Sequence, residues 1–389
     1  MSHSAIERLS PSYPGRAPWG TSAKLRAWQE EALQNYLDAA PTDFLAVATP
    51  SAGKTTFALR LAAELLHERT VKKLCVVAPT EHLKVQWADA AAKAGIQLDP
   101  GLSARKGRSK QFDGVAVTYA GVAAAMLSYE AMVAREPTLV ILDEVHHAGD
   151  ALSWGDAARE AFRLAKRRLA LTGTPFRSDA NPIPFVTYDE LPGGGRISRA
   201  DYTYGYADAL RDHVVRPVVF MNYGGPMRWR TKSGDTIGVN LGEASTKDIT
   251  AQAWRTALDP KGEWVSAVLA AADRRLTEVR RHLPDAGALV IASNQTHARA
   301  YAKVLTSLTG EPPTLVLSDD PGSSKRIETF AQGDSRWMVA VRMVSEGVDV
   351  PRLAVGVYAT ATSTPLFFAQ AVGRFVRARR RRDVGTVFV

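Results

Sequence analysis

The chain has 389 residues, of which 46% are hydrophobic and 23% charged, a composition typical of folded globular proteins and not of disordered or fibrous ones. At about 150 residues per domain, this length predicts two or three domains. The formal net charge is +9, from 35 Arg and 14 Lys against 40 acidic residues. This excess of Arg mildly favours a nucleic-acid partner, because Arg binds phosphate through paired hydrogen bonds. An Arg-rich coding bias explains the same counts equally well.

The cysteine, histidine and hydropathy patterns exclude several classes of protein. The single cysteine, Cys75, rules out an intramolecular disulfide, and the eight histidines lack the Cys/His spacing of a zinc finger. No apolar run approaches the roughly 20 residues that a membrane helix needs. The first residues, MSHSAIERLSPSYPGR, lack the apolar centre of a signal peptide. We therefore expect no membrane partner and a cytoplasmic or nucleoid-associated location.

Short β-branched runs alternate with Ala/Leu-rich helical stretches, the pattern of βαβ units and a parallel sheet. The pattern breaks between about 180 and 260, where prolines, a Gly run and alternating tyrosines (Tyr202, Tyr204, Tyr206) predict an irregular connector. The sequence therefore predicts an α/β fold with two domains: an N-terminal extension (1–20), a first domain (21–205), a connector (206–260) and a second domain (261–389). The predicted strands are 44–48, 74–78, 115–118, 139–142 and 169–171, then 288–292, 314–317, 337–341, 355–358 and 385–389.

A small-residue loop follows the first predicted strand and leads into a helix, which is the context that a phosphate-binding P-loop requires. Backbone N–H groups at such a helix start converge on phosphates. Lys54 would reach the terminal phosphates, and the Thr55 hydroxyl would bind Mg²⁺. One position departs from the strict pattern, since Ala48 replaces its first Gly, and Ser51 stands where many loops of this kind have Gly. The alternative is a Gly-Lys-Thr helix cap. The candidate nucleotide-binding residues here are Pro50, Ser51, Ala52, Gly53, Lys54, Thr55 and Thr56.

The apolar run Leu139–Leu142 predicts a central strand of a parallel sheet, and it ends in Asp143 and Glu144. Ligands bind at the carboxyl ends of such strands. Asp143 is suited to hold Mg²⁺, and Glu144 to orient or deprotonate an attacking water. The alternative is an Asp that caps a strand-to-helix turn. The following His146 is expected to couple the nucleotide site to neighbouring loops and not to bind metal, because Mg²⁺ prefers oxygen ligands.

The motifs occur in the order of one family, and the chain resembles the superfamily 2 helicases of DEAD/DEAH type, which have two RecA-like domains. The resemblance extends from about Leu25 to Arg377 and rests most firmly on three motifs. These are the DEVH form of the DEAH box, SEGVDVP at 345–351, and QAVGRFVR at 370–377. A connector-like stretch, 204–217, resembles restriction-type and repair-type members and favours a DNA translocase.

The resemblance also implies roles for residues outside the P-loop. It implies Mg²⁺-dependent ATP hydrolysis and 3′–5′ movement along a nucleic-acid strand, most plausibly single-stranded or forked DNA. It assigns Gln29 and Arg26 to adenine recognition, and Gly347 and Asp349 to the nucleotide; a glycine lets the main chain approach a phosphate closely. Contacts with the nucleic-acid backbone, which position the strand without reading its sequence, fall on Thr80, Thr118, Ser293, Asn294 and Ser345.

The last motif supplies candidate catalytic groups: Gln370, Arg374 and Arg377 join Lys54, Asp143 and Glu144. The two arginines are three residues apart, so we expect one helix face to present both. They would face the P-loop across an interdomain cleft and stabilise the charge of phosphoryl transfer. A solvated basic helix is the alternative. The adjoining Arg379–Arg382 are expected to form a general phosphate-attracting patch.

Two basic segments leave their roles open. Residues 103–110 (SARKGRSK) read as a DNA contact or as a solubilising loop. Residues 227–232 (MRWRTK) interleave Arg with Trp229, which suits base stacking on a single strand, although a hairpin that packs Trp229 against a domain fits as well. For the whole chain, we expect a DNA helicase or translocase. The alternatives are a DNA-stimulated ATPase that remodels protein–DNA complexes, or the motor of a restriction or defence system.

Overall fold

The computed structural model divides the chain into two compact units, Met1–Ala209 and Leu210–Val389. The expected N-terminal extension, the basic loop 103–110 and the candidate site residues Ser345, Gly347 and Asp349 lie outside the described residues. In the part of the chain that is described, no helix combines the length and apolarity needed to cross a membrane. The structure describes residues 24–101, 112–146, 152–173, 183–190, 196–230, 236–241, 246–317, 320, 322–341, 350–362, 364–380 and 383–389.

The first unit is built on a seven-stranded sheet of order β3-β4-β2-β5-β6-β1-β9, and the strands pair in parallel. The five predicted strands are confirmed, with ends shifted by one or two residues. They are fully buried apart from their first residues, as expected for a sheet covered on both faces. The strands are β1 (Asp43–Ala48), β2 (Lys73–Ala78), β3 (Leu98–Asp99), β4 (Gly114–Thr118), β5 (Thr138–Leu142), β6 (Arg167–Thr172), the hairpin β7 (Thr187–Glu190) and β8 (Arg196–Arg199), and β9 (Tyr202–Tyr204). The helices are α1 (Ala27–Ala39), α2 (Lys54–His67), α3 (Glu81–Lys93), α4 (Tyr119–Ala124), α5 (Met126–Arg135) and α6 (Leu152–Phe162).

The alternating tyrosines form a strand and not an irregular segment. Tyr202 and Tyr204 belong to β9, the edge strand beside β1. The ring of Trp28, on α1, stacks on Tyr204 with centroids 5.1 Å apart and planes at 13°. Aromatic residues two apart on a strand share one face, which explains why both tyrosines meet this indole.

The second unit contains a six-stranded sheet of order β10-β17-β16-β13-β15-β14, again with parallel pairing. The five strands predicted here are confirmed, and β10 is added at the edge, beside β17. The chain therefore has an α/β fold of two RecA-like domains. The strands are β10 (Val218–Met221), β11 (Pro226–Arg230), β12 (Thr236–Asn240), β13 (Gly287–Ala292), β14 (Thr314–Val316), β15 (Trp337–Val341), β16 (Leu353–Ala359) and β17 (Gly385–Phe388). Helix α7 (Tyr206–Arg211) contains the boundary between the two units, and the helices of the second unit are α8 (Lys247–Ala257), α9 (Glu263–Arg280), α10 (Gln295–Thr309), α11 (Ser323–Gln332) and α12 (Pro365–Val372).

The stretch expected to connect the domains, 206–260, holds several of these elements. Its strands β11 and β12 form an antiparallel hairpin. Met227 and Trp229 lie two residues apart on β11, so they share a face, and both pack with Ala253 and Ala257 of α8. Trp229 is half-buried by this contact, which favours the packing role over base stacking.

A buried arginine ties three segments of the second unit together. Arg216 is 2% exposed. Its Nη1 donates to Asp383 Oδ2 at 2.6 Å, its Nε to the Phe375 carbonyl at 2.7 Å, and its Nη2 to the Leu353 carbonyl. Burial lowers the pKa of this guanidinium and the Asp383 charge opposes that shift. The side chain therefore joins β16 to the segments on either side of residue 380.

We expect Arg216→Ala to destabilise the protein by about 3–5 kcal/mol, because Asp383 would be left as an unpaired buried charge. The matched control is Arg275→Ala, which removes a more exposed ion pair to Glu278 at 2.9 Å on α9 and should cost at most about 1 kcal/mol. Chemical denaturation of the two variants measures the difference. Equal losses of stability would contradict the structural role given to Arg216.

Candidate nucleotide site

The loop between β1 and α2 adopts the backbone shape of a phosphate-binding loop. Ser51 has φ +65° and Gly53 has φ +96°, so two residues lie in the left-handed region. Gly53 is required on steric grounds as well, since a Cβ there would fall 2.8 Å from Gln29 Nε2. Ser51 carries the strain of a non-glycine residue at positive φ. The loop thus keeps its shape although Ser51 departs from the family's pattern.

Side chains from the start of α1 donate hydrogen bonds to carbonyl groups of this loop. Arg26 Nη1 and Trp28 Nε1 both donate to the Ala52 carbonyl, the latter at 3.2 Å. Gln29 Nε2 donates to the Gly53 carbonyl at 2.8 Å, and Gln29 Oε1 accepts from Arg26 N at 2.8 Å. We call Arg26, Trp28 and Gln29 the loop clamp. The family resemblance assigned this same segment to adenine recognition. The sequence did not predict that the segment contacts the phosphate loop.

The clamp and helix α2 together determine which way the loop's amides point. In a trans peptide the carbonyl and the next N–H point in opposite directions. The clamp holds the Ala52 carbonyl, and Gln29 and the Phe57 N–H hold the Gly53 carbonyl, so the N–H groups of Gly53 and Lys54 face away from these donors. Both ends of the Gln29 amide are engaged within the protein, and the side chain is 2% exposed. Its predicted contact with adenine stays a prediction.

Lys54 and Glu144 form an ion pair at the carboxyl ends of β1 and β5. Lys54 Nζ lies 3.2 Å from Glu144 Oε1 and also donates to the Ala48 carbonyl at 3.2 Å. Gly173, which follows the intervening strand β6, donates its N–H to Glu144 Oε2 at 3.2 Å. A Cβ at Gly173 would sit 3.1 Å from Lys54 Nζ, so the glycine that departs from the family's usual Ala leaves room for the lysine.

Asp143 is held by hydrogen bonds from two helices. Trp87 Nε1, on α3, donates to Asp143 Oδ2 at 2.7 Å, and Tyr119 Oη, on α4, donates to the Asp143 carbonyl at 2.9 Å. The Glu144 N–H donates to Asp143 Oδ1 at 3.1 Å. Both oxygens of the carboxylate therefore accept hydrogen bonds, and its orientation is well defined.

The environment pushes the two acidic pKa values in opposite directions. Burial and the neighbouring Glu144 charge raise the pKa of Asp143, and the Trp87 hydrogen bond and Lys54 oppose the rise. Burial also acts to raise the pKa of Glu144, but Lys54 and His146 outweigh it and hold that pKa below its usual range. Glu144 therefore stays ionised at neutral pH and is able to accept a hydrogen bond from water.

His146 connects this carboxylate to the end of the next strand. It is 3% exposed, its Nδ1 lies 2.9 Å from Thr172 Oγ1 on β6, and the same nitrogen is 3.6 Å from Glu144 Oε2. His146 thus lies between the Asp-Glu segment and the end of β6, and its expected coupling of the nucleotide site to neighbouring loops stays a prediction.

The residues present fit a nucleotide triphosphate with Mg²⁺. The inward-facing amides of Gly53 and Lys54 would hold phosphate at the start of α2. Asp143 and Thr55 offer the oxygen ligands that Mg²⁺ prefers. When bound, the metal would neutralise charge that develops on the phosphates during transfer. The Lys54 ammonium group pairs with Glu144, the residue next to Asp143. It therefore lies at the same end of the sheet as the Asp143 carboxylate.

The predicted nucleic-acid contacts have local structural roles. The side-chain oxygens of Thr80, Thr118 and Asn294 each accept from the backbone N–H three residues ahead, so each caps the start of a helix. Ser293 Oγ donates to the Ala359 carbonyl at 3.4 Å. These bonds explain the residue types without a ligand. Contact with nucleic acid at these positions is still a prediction.

The expectation that one helix face presents Arg374 and Arg377 is wrong. Helix α12 contains Gln370 but ends at Val372, before both arginines. The backbone of Arg377 instead forms a bridge to Val215. Beyond the end of the helix, the carbonyls of Phe375 and Val376 accept hydrogen bonds from Arg216.

The basic patch expected at Arg379–Arg382 stays a prediction, and the two of these arginines that are described also have local partners. Arg379 Nη2 donates to Asp285 Oδ2 at 2.5 Å, and this hydrogen bond is the main reason why the pKa of Asp285 is lowered. Arg380 Nη1 donates to the His282 carbonyl at 2.7 Å. Both guanidinium groups thus bind the turn that precedes β13. The other two arginines lie outside the described residues.

The chain is similar in sequence to several known proteins. Residues 22–177 match the family described as "Type III restriction enzyme, res subunit". An uncharacterized protein of Mycobacterium tuberculosis is 61% identical over 366 residues, which cover 94% of this chain and 61% of that protein. The DNA 3′-5′ translocase XPB2 of Sulfurisphaera tokodaii is 24% identical over 384 residues, which cover 92% of this chain and 79% of that protein.

Among solved structures, the ATP-dependent Type ISP restriction-modification enzyme LlaBIII bound to DNA superposes with a TM-score of 0.62 at 16% identity, covering 97% of this chain and 28% of that one. A two-domain parallel α/β fold with a P-loop and an Asp-Glu pair is typical of helicase-type proteins. The first domain is similar to the res subunit of type III restriction enzymes over residues 22–177, and the chain shares its fold with a type ISP restriction-modification enzyme. It spans about three fifths of the length of the mycobacterial relatives that it matches.

Gln29→Ala distinguishes the loop clamp from adenine recognition. Loss of the clamp should raise the KM for ATP and GTP by a similar factor, because both nucleotides use the same loop amides. Loss of an adenine contact should raise the KM for ATP alone. We expect the KM for both nucleotides to rise. If Gln29 also contacts the base, the KM for ATP should rise more than the KM for GTP. Steady-state kinetics with each nucleotide measures both effects, and an unchanged KM for both would contradict either role.

Proposed function

We propose that this chain is the motor of an ATP-dependent DNA translocase or helicase. The observation that carries the proposal is the convergence of Lys54, Glu144 and Gly173 at the ends of three adjacent strands, β1, β5 and β6. This arrangement supports hydrolysis of a nucleoside triphosphate with Mg²⁺. The proposal includes a cytoplasmic setting, where ATP and DNA are both present.

In the proposed reaction each residue has a distinct task. The loop amides and Lys54 bind the phosphates, and Glu144 orients the attacking water through its ionised carboxylate. Asp143 and Thr55 hold the metal. Arg374 and Arg377 stabilise negative charge on the leaving phosphoryl group when the two domains close. Reopening after hydrolysis then moves the chain along a strand.

DNA is the favoured partner because one sequence relative and one structural neighbour are described with DNA, whereas the structural neighbour Dbp5 of S. cerevisiae is described as bound to RNA, so RNA is an arm of the test. XPB2 is described as a DNA 3′-5′ translocase, and LlaBIII as an ATP-dependent enzyme bound to DNA. The net charge of +9 supports a polyanionic partner. We therefore propose single-stranded or forked DNA as the substrate and 3′–5′ as the direction.

Two related functions would use the same nucleotide site. The restriction-type first domain favours a motor that serves a restriction or defence system. A remodelling ATPase would hydrolyse ATP on DNA without separating strands. Strand displacement by the chain alone favours the helicase, while stimulated turnover without displacement favours either alternative.

Two substitutions separate phosphate binding from hydrolysis. Lys54→Ala should abolish turnover, because the cation that pairs with the phosphates is lost. Glu144→Gln should reduce turnover at least 100-fold while ATP affinity changes little, because it preserves the shape of the side chain and removes only its charge. Turnover and equilibrium nucleotide binding check both. Near wild-type turnover in either variant would refute the assignment of the site.

The interdomain arginines have an expected signature of their own. Arg374→Ala should lower turnover by about 10³-fold, the low end for an arginine finger. Nucleotide binding without turnover should fall much less, since the P-loop is intact, and nucleotide-free DNA binding should barely change. Arg377→Ala should follow the same pattern. If the two arginines are instead solvent-exposed basic residues, the reverse is expected: weaker DNA binding and normal turnover at saturating DNA.

A further inference from the structure

Two of the hydrogen bonds to Asp143 come from residues that have no proposed role in nucleotide binding or hydrolysis. Trp87 and Tyr119 lie 56 and 24 residues before Asp143 in sequence, on helices α3 and α4. Each of these helices is preceded by a predicted nucleic-acid contact, Thr80 before α3 and Thr118 before α4. The two threonines cap the helices that carry the donors.

The sheet explains how these segments reach one aspartate. Strands β4, β2 and β5 are neighbours, and α4, α3 and the Asp143 turn follow them in the same order. The Asp143 N–H donates to the Val77 carbonyl at 2.9 Å, so the aspartate extends the pairing of β5 with β2. Helices α3 and α4 are therefore each joined to Asp143 by one side-chain hydrogen bond.

Trp87 and Tyr119 are buried, with 3% and 0% exposure, and their rings alone would fill the core without either bond. An indole N–H can only donate, so Trp87 binds one Asp143 oxygen and limits how the carboxylate can turn. The Tyr119 hydroxyl fixes the backbone of the same residue. Together they define both the position of Asp143 and the direction of its carboxylate.

We propose that Trp87 and Tyr119 are positioning residues that couple nucleic-acid binding at Thr80 and Thr118 to the orientation of Asp143, and hence to Mg²⁺-nucleotide binding and hydrolysis. This inference rests on the proposed function. Coupling between two binding sites is reciprocal, so Mg²⁺-nucleotide must strengthen DNA binding by the same factor by which DNA strengthens Mg²⁺-nucleotide binding.

The test uses Trp87→Phe and Tyr119→Phe, which remove one donor each and keep an aromatic ring. Matched controls are Trp264→Phe and Tyr301→Phe, which remove an indole donor to the Tyr223 carbonyl and a hydroxyl donor to the Leu258 carbonyl in the second unit. For every variant we would measure turnover with and without single-stranded DNA, and the Mg²⁺ dependence of binding a non-hydrolysable ATP analogue. Single-stranded DNA affinity would be measured with and without that analogue.

We expect Trp87→Phe to lower the stimulation of turnover by DNA about tenfold, within the range of ordinary allosteric coupling. The Mg²⁺ concentration needed for half-maximal analogue binding should rise several-fold, and the analogue should lose most of its effect on DNA affinity. DNA affinity without nucleotide should not change. Tyr119→Phe should act in the same direction, and the double variant should be non-additive because both donors act on one residue. The controls should match wild type.

Three results would overturn the inference. One is unchanged DNA stimulation in both variants. Another is an equal loss of turnover with and without DNA, which would leave Asp143 positioned but uncoupled. The third is equal loss in the controls, which would indicate general destabilisation. If no nucleic acid stimulates ATP turnover by the wild-type chain, the proposed function itself is refuted. This result is obtained without the variants, so it is distinguishable from failure of the inference.

Discussion

The ion pair between Lys54 and Glu144 is the interaction on which the site depends. Each residue follows a strand that pairs with β6, so the parallel order β5-β6-β1 brings positions 90 residues apart to within 3.2 Å. Gly173, at the end of the strand between them, has no side chain to block the pair and binds Glu144 through its N–H. The phosphate loop and the acidic pair therefore form one site because of sheet topology.

Around that pair, the fold uses buried donors to hold backbone in place. The loop clamp binds carbonyls of the phosphate loop, and Arg216 binds carbonyls of the segment that carries Arg374 and Arg377. A buried carbonyl without a partner is costly, so these contacts define the conformation of both segments. In each unit, a residue remote in sequence thus shapes the backbone that presents the candidate catalytic groups.

The features that follow local rules could be predicted from the sequence. Apolar runs such as Leu139–Leu142 became buried parallel strands, and Gly53-Lys54 began a helix after one of them. The clamp by Arg26 and Trp28, the Trp87 bond to Asp143 and the end of α12 before Arg374 could not be predicted, because each depends on a partner at least 20 residues away. Spacing of three residues suggested a shared helix face, but the helix ends at Val372 and the segment after it is held by long-range hydrogen bonds from Arg216.

Control of ATP hydrolysis by nucleic acid is central to the proposed function. The most direct measurement is steady-state ATP turnover by the wild-type chain, compared without nucleic acid and with single-stranded DNA, duplex DNA, forked DNA and RNA. We predict Mg²⁺-dependent turnover that single-stranded or forked DNA stimulates most. Turnover that is the same under all five conditions, or stimulation by RNA alone, would contradict it.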